Sequence, residues 1–190
     1  MKTTQPIRKK AQLKAFVNYY LDLGKIRNYV LILMSCFTAL RVSDLLRLKW
    51  DDVYDFKLGK VKSEIYIVET KTKKPKTIAL HKKVVKALKM FAPGNAEEGK
   101  YIFENPRTGN AISRIQAYRL IRAVAEALEF NFRVSCHSLR KTFGYWAYRG
   151  GASLAIIMEI YNHSSIKVTL RYLGVTQDEI NNVYLNINLI

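Results

Sequence analysis

The segment from Arg27 to Leu40 constrains this chain most, because it is almost continuously apolar. A helix that is apolar on every side has to be enclosed by other elements. From Val30 to Leu40 the run is too short to cross a bilayer, which takes about 20 apolar residues. The chain therefore reads as a globule built around a buried helix. Its 190 residues are 49% hydrophobic and 12% aromatic, enough for a real core in one domain.

The flanking patterns supply the enclosing elements. From Ala11, Leu13, Phe16, Val17, Tyr20 and Leu21 recur at helical spacing, and Gly24 ends the helix. Val42, Leu45, Leu46 and Leu48 predict a second helical stretch that ends at Trp50–Asp52. Glu64–Glu69 and Thr77–Leu80 are β-rich, and the Thr70–Lys76 stretch between them carries Lys71, Lys73, Lys74 and Lys76. This predicts a hairpin or small sheet with a cationic tip. Helices follow over 82–91, from Ser113 to about Glu129, and over 139–149, 153–161 and 165–173; Pro93–Asn95 and Asn105–Asn110 are turns. Thr176 to Glu179 reads as a capping box that opens a last helix with Ile180, Val183 and Tyr184. The expected fold class is mainly α with a small antiparallel β-sheet (α+β). The expected organisation is a flexible basic segment over 1–10, one domain over 11–175, and a helical tail over 176–190.

Charge points to the partner. Lys and Arg total 32 against 15 Asp and Glu, a formal net charge of +17. Nucleic acid is the leading polyanion for so basic a domain. An acidic membrane surface fits less well, because no segment reads as a basic amphipathic interfacial helix. Cys36 and Cys136 have no metal spacing and read as reduced, packed thiols. With no apolar leader behind the first residues, the expected location is cytoplasmic.

Individually, the polar residues that stand out say little. Arg41 and Asp44 can form an ordinary i, i+3 surface pair. His137 and Arg140, three apart, can share the start of a helix as a cap and a solvated base. His163 sits in a polar turn, and Tyr172 is one of twelve tyrosines on an apolar-periodic helix.

Their joint order is informative. Ala39-Leu40-Arg41-Val42-Ser43-Asp44 is followed by the basic hairpin. Then come Cys136-His137-Ser138-Leu139-Arg140-Lys141, and Asn162-His163 with Tyr172 nine residues after His163. Over roughly residues 10–180 the chain resembles the tyrosine recombinase (phage integrase) family. One departure is visible: Tyr161-Asn162 stands where the family usually has Leu-Gly. Asn tolerates a left-handed backbone, so the turn can survive.

The resemblance implies the tyrosine recombinase catalytic-domain fold and a metal-independent, site-specific DNA strand transferase that uses no cofactor. It implies Tyr172 as the nucleophile of a 3′-phosphotyrosyl intermediate, since a phenol needs activation at neutral pH. Arg41 and Arg140 would clamp the non-bridging oxygens; guanidiniums do so bidentately and stay charged. His137 would move the proton of Tyr172, His163 would donate to the phosphate, and Asp44 would buttress the site around Arg41. The general acid would be a hairpin lysine. Lys71 aligns best, with Lys73 and Lys74 as alternatives; Lys74 and Lys76 read more simply as phosphate contacts. Arg114, Gln116, Arg119 and Arg122 on the Ser113 helix are candidate DNA contacts or a solvated basic face, and Lys141 is a candidate phosphate contact.

The implied partners are double-stranded DNA and further copies of the chain, as a tetramer on DNA and a monomer alone, with no membrane. The implied setting is prokaryotic, nucleoid-associated and tied to a mobile genetic element. Only about ten residues precede the first helix, which fits an excised catalytic domain or a short recombinase of the DNA-inversion type. The tail would dock on its own domain or on a neighbour. Type IB topoisomerases share the chemistry, but the Arg–His–Tyr spacing and small size favour the recombinase. Loss of activity to leave a DNA-binding relative is disfavoured by the complete set of six residues.

Overall fold

The computed structural model describes residues 4–175, 181 and 184–187. The elements run α1 (Lys10–Asp22), α2 (Ile26–Phe37), α3 (Val42–Leu46), α4 (Trp50–Val53), β1 (Tyr54–Asp55), β2 (Lys60–Val61), β3 (Glu64–Val68) and β4 (Pro75–Ala79). They continue with α5 (Lys82–Phe91), α6 (Arg114–Ala127), α7 (Cys136–Arg149), α8 (Leu154–Tyr161) and α9 (Ile166–Leu173). The mainly helical class with small antiparallel sheets is as expected. The capping box at 176–179 lies outside the described residues. Among these residues no helix is long and apolar enough to cross a membrane.

Helix α2 is the central element. Val30 to Cys36 are buried without a break, and α1, α5 and α7 pack around them. Cys36 sits inside this core with its thiol pKa pushed up by burial to about 12, so it is inert as a nucleophile. The helix ends earlier than its apolar run suggests. After Phe37 the chain turns through Ala39 in a left-handed conformation, φ +54°, a position a non-glycine residue adopts at some cost.

Two small sheets form, where the sequence suggested one. β3 pairs antiparallel with β4, Tyr66 opposite Thr77 and Ile67 opposite Lys76. β1 pairs with β2 as a separate short ribbon. Trp50–Asp52, expected to close a helix, instead opens α4, because the Asp52 carboxylate accepts from the Lys49 amide at 2.7 Å.

Residues 4–8 are not a loose arm. The side chain of Ile7 is wholly buried. Its amide donates to Thr142 Oγ1 at 2.9 Å, and its carbonyl accepts from Trp146 Nε1 at 3.0 Å. Arg8 donates to the carbonyl of Gly174 at 2.6 Å. This leading segment thus ties α7 to the end of α9.

The C-terminal helices have a small core of their own. Ala39, Ile157, Tyr161 and Leu173 form it, with Phe143 and Tyr172 packed against them. Gly144 on α7 makes the approach possible. A Cβ there would lie 2.4 Å from Tyr161 Oη and 2.6 Å from Leu173 Cδ2. Tyr161 cannot easily yield, because its hydroxyl donates to the Arg140 carbonyl at 2.6 Å. Gly144→Ala is therefore expected to lower stability by about 1–3 kcal/mol through overpacking, more than offsetting a helix-propensity gain of about 1 kcal/mol. Urea denaturation checks this; an unchanged or raised midpoint would mean the α8–α9 unit moves aside freely.

Candidate active site

Arg41 is the residue just before α3, in extended conformation. There its side chain leaves the buried turn and meets the end of β3. Its Nη1 lies 3.0 Å from Glu69 Oε2, and Glu69 is completely buried. The pairing with Asp44 suggested by their spacing does not occur. Asp44 Oδ1 instead accepts from the Thr70 amide at 2.9 Å, anchoring the start of the lysine turn. Asp44 therefore supports the hairpin beside Arg41.

Glu69 was missed from sequence, although a signal was present. Alternation along β3 buries Ile65 and exposes Glu64, Tyr66 and Val68, so Glu69 continues the inward register. A carboxylate at such a position needs partners. Oε2 accepts from Thr72 Oγ1 at 2.7 Å and from Asn162 Nδ2 at 2.7 Å. Burial alone would raise the Glu69 pKa, but hydrogen bonds from Thr72 and Asn162 and the ion pair with Arg41 hold it below the ordinary value.

The same alternation turns Lys76 inward. It is not a free tip: its Nζ donates to the Ile160 carbonyl, tying β4 to α8. Burial, chiefly, lowers its pKa; Glu69 opposes that shift while Arg140 and Arg41 add to it. Lys71, Lys73 and Lys74 are exposed on the turn. Of the three, Lys71 lies near enough for its charge to act on His137.

Helix α7 carries His137 and Arg140 one turn apart. Arg140 is almost fully buried. It donates to the carbonyls of Ala39 and, at 3.4 Å, of Tyr161, and its guanidinium lies 4.8 Å from the centre of the Tyr161 ring. The left-handed turn at Ala39 thus supplies an acceptor to the second arginine. Burial lowers the Arg140 pKa most; Tyr172 opposes this and Arg41 adds to it. Lys141 is held by the Thr4 carbonyl at 2.8 Å and sits 5.3 Å from the centre of the Tyr172 ring.

Asn162 ends α8 in the left-handed conformation, φ +53° and ψ +46°, as its tolerance of that region allows. The turn presents His163. Its Nδ1 is 3.1 Å from Thr169 Oγ1, and Thr169 Oγ1 is 3.3 Å from the Ser165 carbonyl. A hydroxyl proton serves one acceptor. Given to the nearer Nδ1, it leaves the proton of neutral His163 on Nε2, the nitrogen then able to donate outward. Burial first, then Arg140 and Arg41, lower the His163 pKa; His137 is lowered likewise, with Lys141 and Lys71 contributing. Both shifts favour the neutral form of the rings.

Ser165 caps α9, which carries Tyr172 inward. The Tyr172 ring meets His163 and Tyr161 edge-on, at 5.1 and 5.0 Å between centroids. Its hydroxyl is buried beside the Arg140 guanidinium. Burial raises the phenol pKa, while the charge and side-chain contact of Arg140, then the Arg41 charge, pull it back. Arg41, Arg140, His163 and Tyr172 thus converge, with Lys71 and His137 beside them. Gln116 and Arg122 are otherwise engaged: Gln116 reciprocally caps α6 with Ser113, and Arg122 pairs with Glu126 at 2.5 Å. Arg114 and Arg119 are exposed on α6.

Among curated proteins, the chain is 35% identical to "Probable integrase/recombinase YoeC" of Bacillus subtilis (strain 168), over 94% of this chain and 93% of that protein. It is 26% identical to "Tyrosine recombinase XerA" of Pyrococcus furiosus over 87% of its own length, but spans only 56% of that relative. Among solved structures, XerA recombinase superposes with a TM-score of 0.76 at 22% identity, covering 96% of this chain and 65% of that one. XerH recombinase bound to its difH substrate in a post-cleavage complex gives 0.74 at 19%, covering 97% and 54%. These superpositions establish the fold as that of tyrosine recombinase catalytic domains. The sequence profile of the phage integrase family matches residues 8–179, and the chain belongs to that family.

Proposed function

We propose that this protein cleaves and rejoins double-stranded DNA at specific sites through a 3′-phosphotyrosyl intermediate. The observation that carries the reading is the convergence of Arg41, Arg140 and His163 on the buried hydroxyl of Tyr172. In this reading the Tyr172 oxygen attacks the scissile phosphorus and its proton passes to His137. The phosphorus–O5′ bond breaks, and Lys71 protonates the departing O5′, since an alkoxide leaves poorly. The reverse transfer reseals the strand with no net change in bond energy. Arg41 and Arg140 stabilise the added charge of the transition state from preset positions, and His163 Nε2 donates to a non-bridging oxygen.

Residues 11–175 act as the catalytic domain, and Arg114, Arg119 and Lys73 serve as phosphate contacts. A charge of +17 makes DNA affinity fall steeply with salt. The chain assembles as a tetramer on its DNA site, is monomeric without it, and works on the prokaryotic nucleoid.

A nicked suicide substrate, which traps the covalent complex, tests the reading. Wild type is expected to give a DNA-shifted band in EDTA as well as without it. Lys71→Ala is expected to cut this substrate at least a hundredfold more slowly, and to recover on a 5′-bridging phosphorothioate, whose leaving group needs no proton. Recovery of Lys73→Ala instead would move the general acid, and no adduct from wild type would remove the function.

A further inference from the structure

Glu69 is a wholly buried carboxylate whose Oε2 receives three groups, one from its own turn and two from distant parts of the chain. These are Arg41 Nη1 at 3.0 Å, Thr72 Oγ1 at 2.7 Å and Asn162 Nδ2 at 2.7 Å. Both ends of the Glu69–Asn162 link are rigid. The Glu69 amide donates to the Lys74 carbonyl at 3.0 Å, and its own carbonyl accepts from Lys73 at 2.9 Å, which closes the lysine turn. The Asn162 amide donates to Glu159 at 3.0 Å, and the next amide, that of His163, donates to Met158 at 3.0 Å. One side-chain bond therefore connects the turn bearing His163 to the strand end that holds Arg41. Arg140 grips the same turn from its other side, through the Tyr161 carbonyl.

We propose that Asn162 and Glu69 form a positioning bridge, which fixes the Arg41 guanidinium against the His163 turn so that both arginines and His163 meet one phosphate without rearrangement. A buried anion with one oxygen already lacking a partner holds its place only while its other oxygen keeps its donors. Without the Asn162 amide, Glu69 turns toward the remaining donors and Arg41 follows it. Neither residue touches the reacting atoms; both act through Arg41. The bridge presupposes the strand-transfer reading above.

Asn162→Gly is the decisive variant, because glycine adopts φ +53° at no cost and only the side-chain bond is lost. Single-turnover cleavage at saturating nicked DNA is expected to slow about tenfold, a scale typical of a misplaced positioning group. The DNA dissociation constant is expected to stay within about twofold and the melting temperature to fall by only a few degrees, since relief of the left-handed strain partly offsets the lost hydrogen bond to a buried carboxylate. Glu69→Ala is expected to slow cleavage about a hundredfold, and the Glu69→Ala, Asn162→Gly double variant to be no slower than Glu69→Ala alone. Cleavage by Asn162→Gly at the wild-type rate would overturn the bridge. So would multiplying defects in the double variant, a loss that merely follows DNA affinity or folding, or faster cleavage on removing Glu69, which would make the carboxylate a competitor of the phosphate. In each of these cases wild-type cleavage stands. A wild type that forms no adduct overturns the functional reading and the bridge together.

Discussion

Tyr172→Phe is expected to abolish the covalent DNA adduct completely while leaving the protein folded and close to wild type in stability. The loss of chemistry is total because no other atom replaces the attacking oxygen. The fold should change little, because that oxygen packs in a small core beside the Arg140 guanidinium and makes no hydrogen bond that ties two elements together. Removing it exchanges the relief of burying a hydroxyl for the loss of its contact with Arg140, so stability read from the urea midpoint should stay within about 1 kcal/mol of wild type. DNA binding should change little, since the cationic groups stay in place. An active Tyr172→Phe would discard the nucleophile assignment. A variant both inactive and strongly destabilised would mean the hydroxyl is structural.

The second large effect is expected at Arg140. Arg140→Ala should slow cleavage by about 10²–10³-fold or more, the scale for losing one preset donor to a developing oxyanion. It should also destabilise the protein by about 2–3 kcal/mol, because the carbonyls of Ala39 and Tyr161 lose their donor in a buried site. These two carbonyls join the left-handed turn after α2 to the end of α8, so the loss should loosen α8 and α9 together. Arg140→Lys keeps a charge but not a planar fork that reaches both carbonyls. It should recover part of the stability and little of the rate. If Arg140→Ala cleaves within about threefold of wild type, the guanidinium is a structural tie and not part of a phosphate cradle.

Much of the architecture was legible because local rules agreed with the global fold. Ser113, Ser153 and Ser165 cap the helices they precede, and the unbroken apolar run identified α2 as the centre. The order Arg41, lysine turn, His137, Arg140, His163, Tyr172 identified the site residues the structure brings together. What escaped was pairing across sequence. Spacing offered Arg41 the nearby Asp44, yet Arg41 is paired with Glu69. The alternation of β3 and β4 would have turned Glu69 and Lys76 inward had it been followed through the turn. Residues 4–8 read as polar and loose because a single Ile7 carries no periodicity; what fixes it is backbone hydrogen bonding to Thr142 and Trp146 on α7. The hydrogen bond from Asn162 was invisible for a related reason. The left-handed turn was foreseeable from residue type, but the acceptor for the side chain lies in another element.

The central claim is that the two arginines, the two histidines and the hairpin lysine serve the hydroxyl of Tyr172 and no other. It is tested most directly by digesting the covalent complex trapped on a nicked suicide substrate and sequencing the nucleotide-bearing peptide by mass spectrometry. The account predicts one modified peptide, with the DNA attached through a 3′-phosphate to Tyr172. Attachment to any other of the twelve tyrosines, or through a 5′-phosphate, would contradict it.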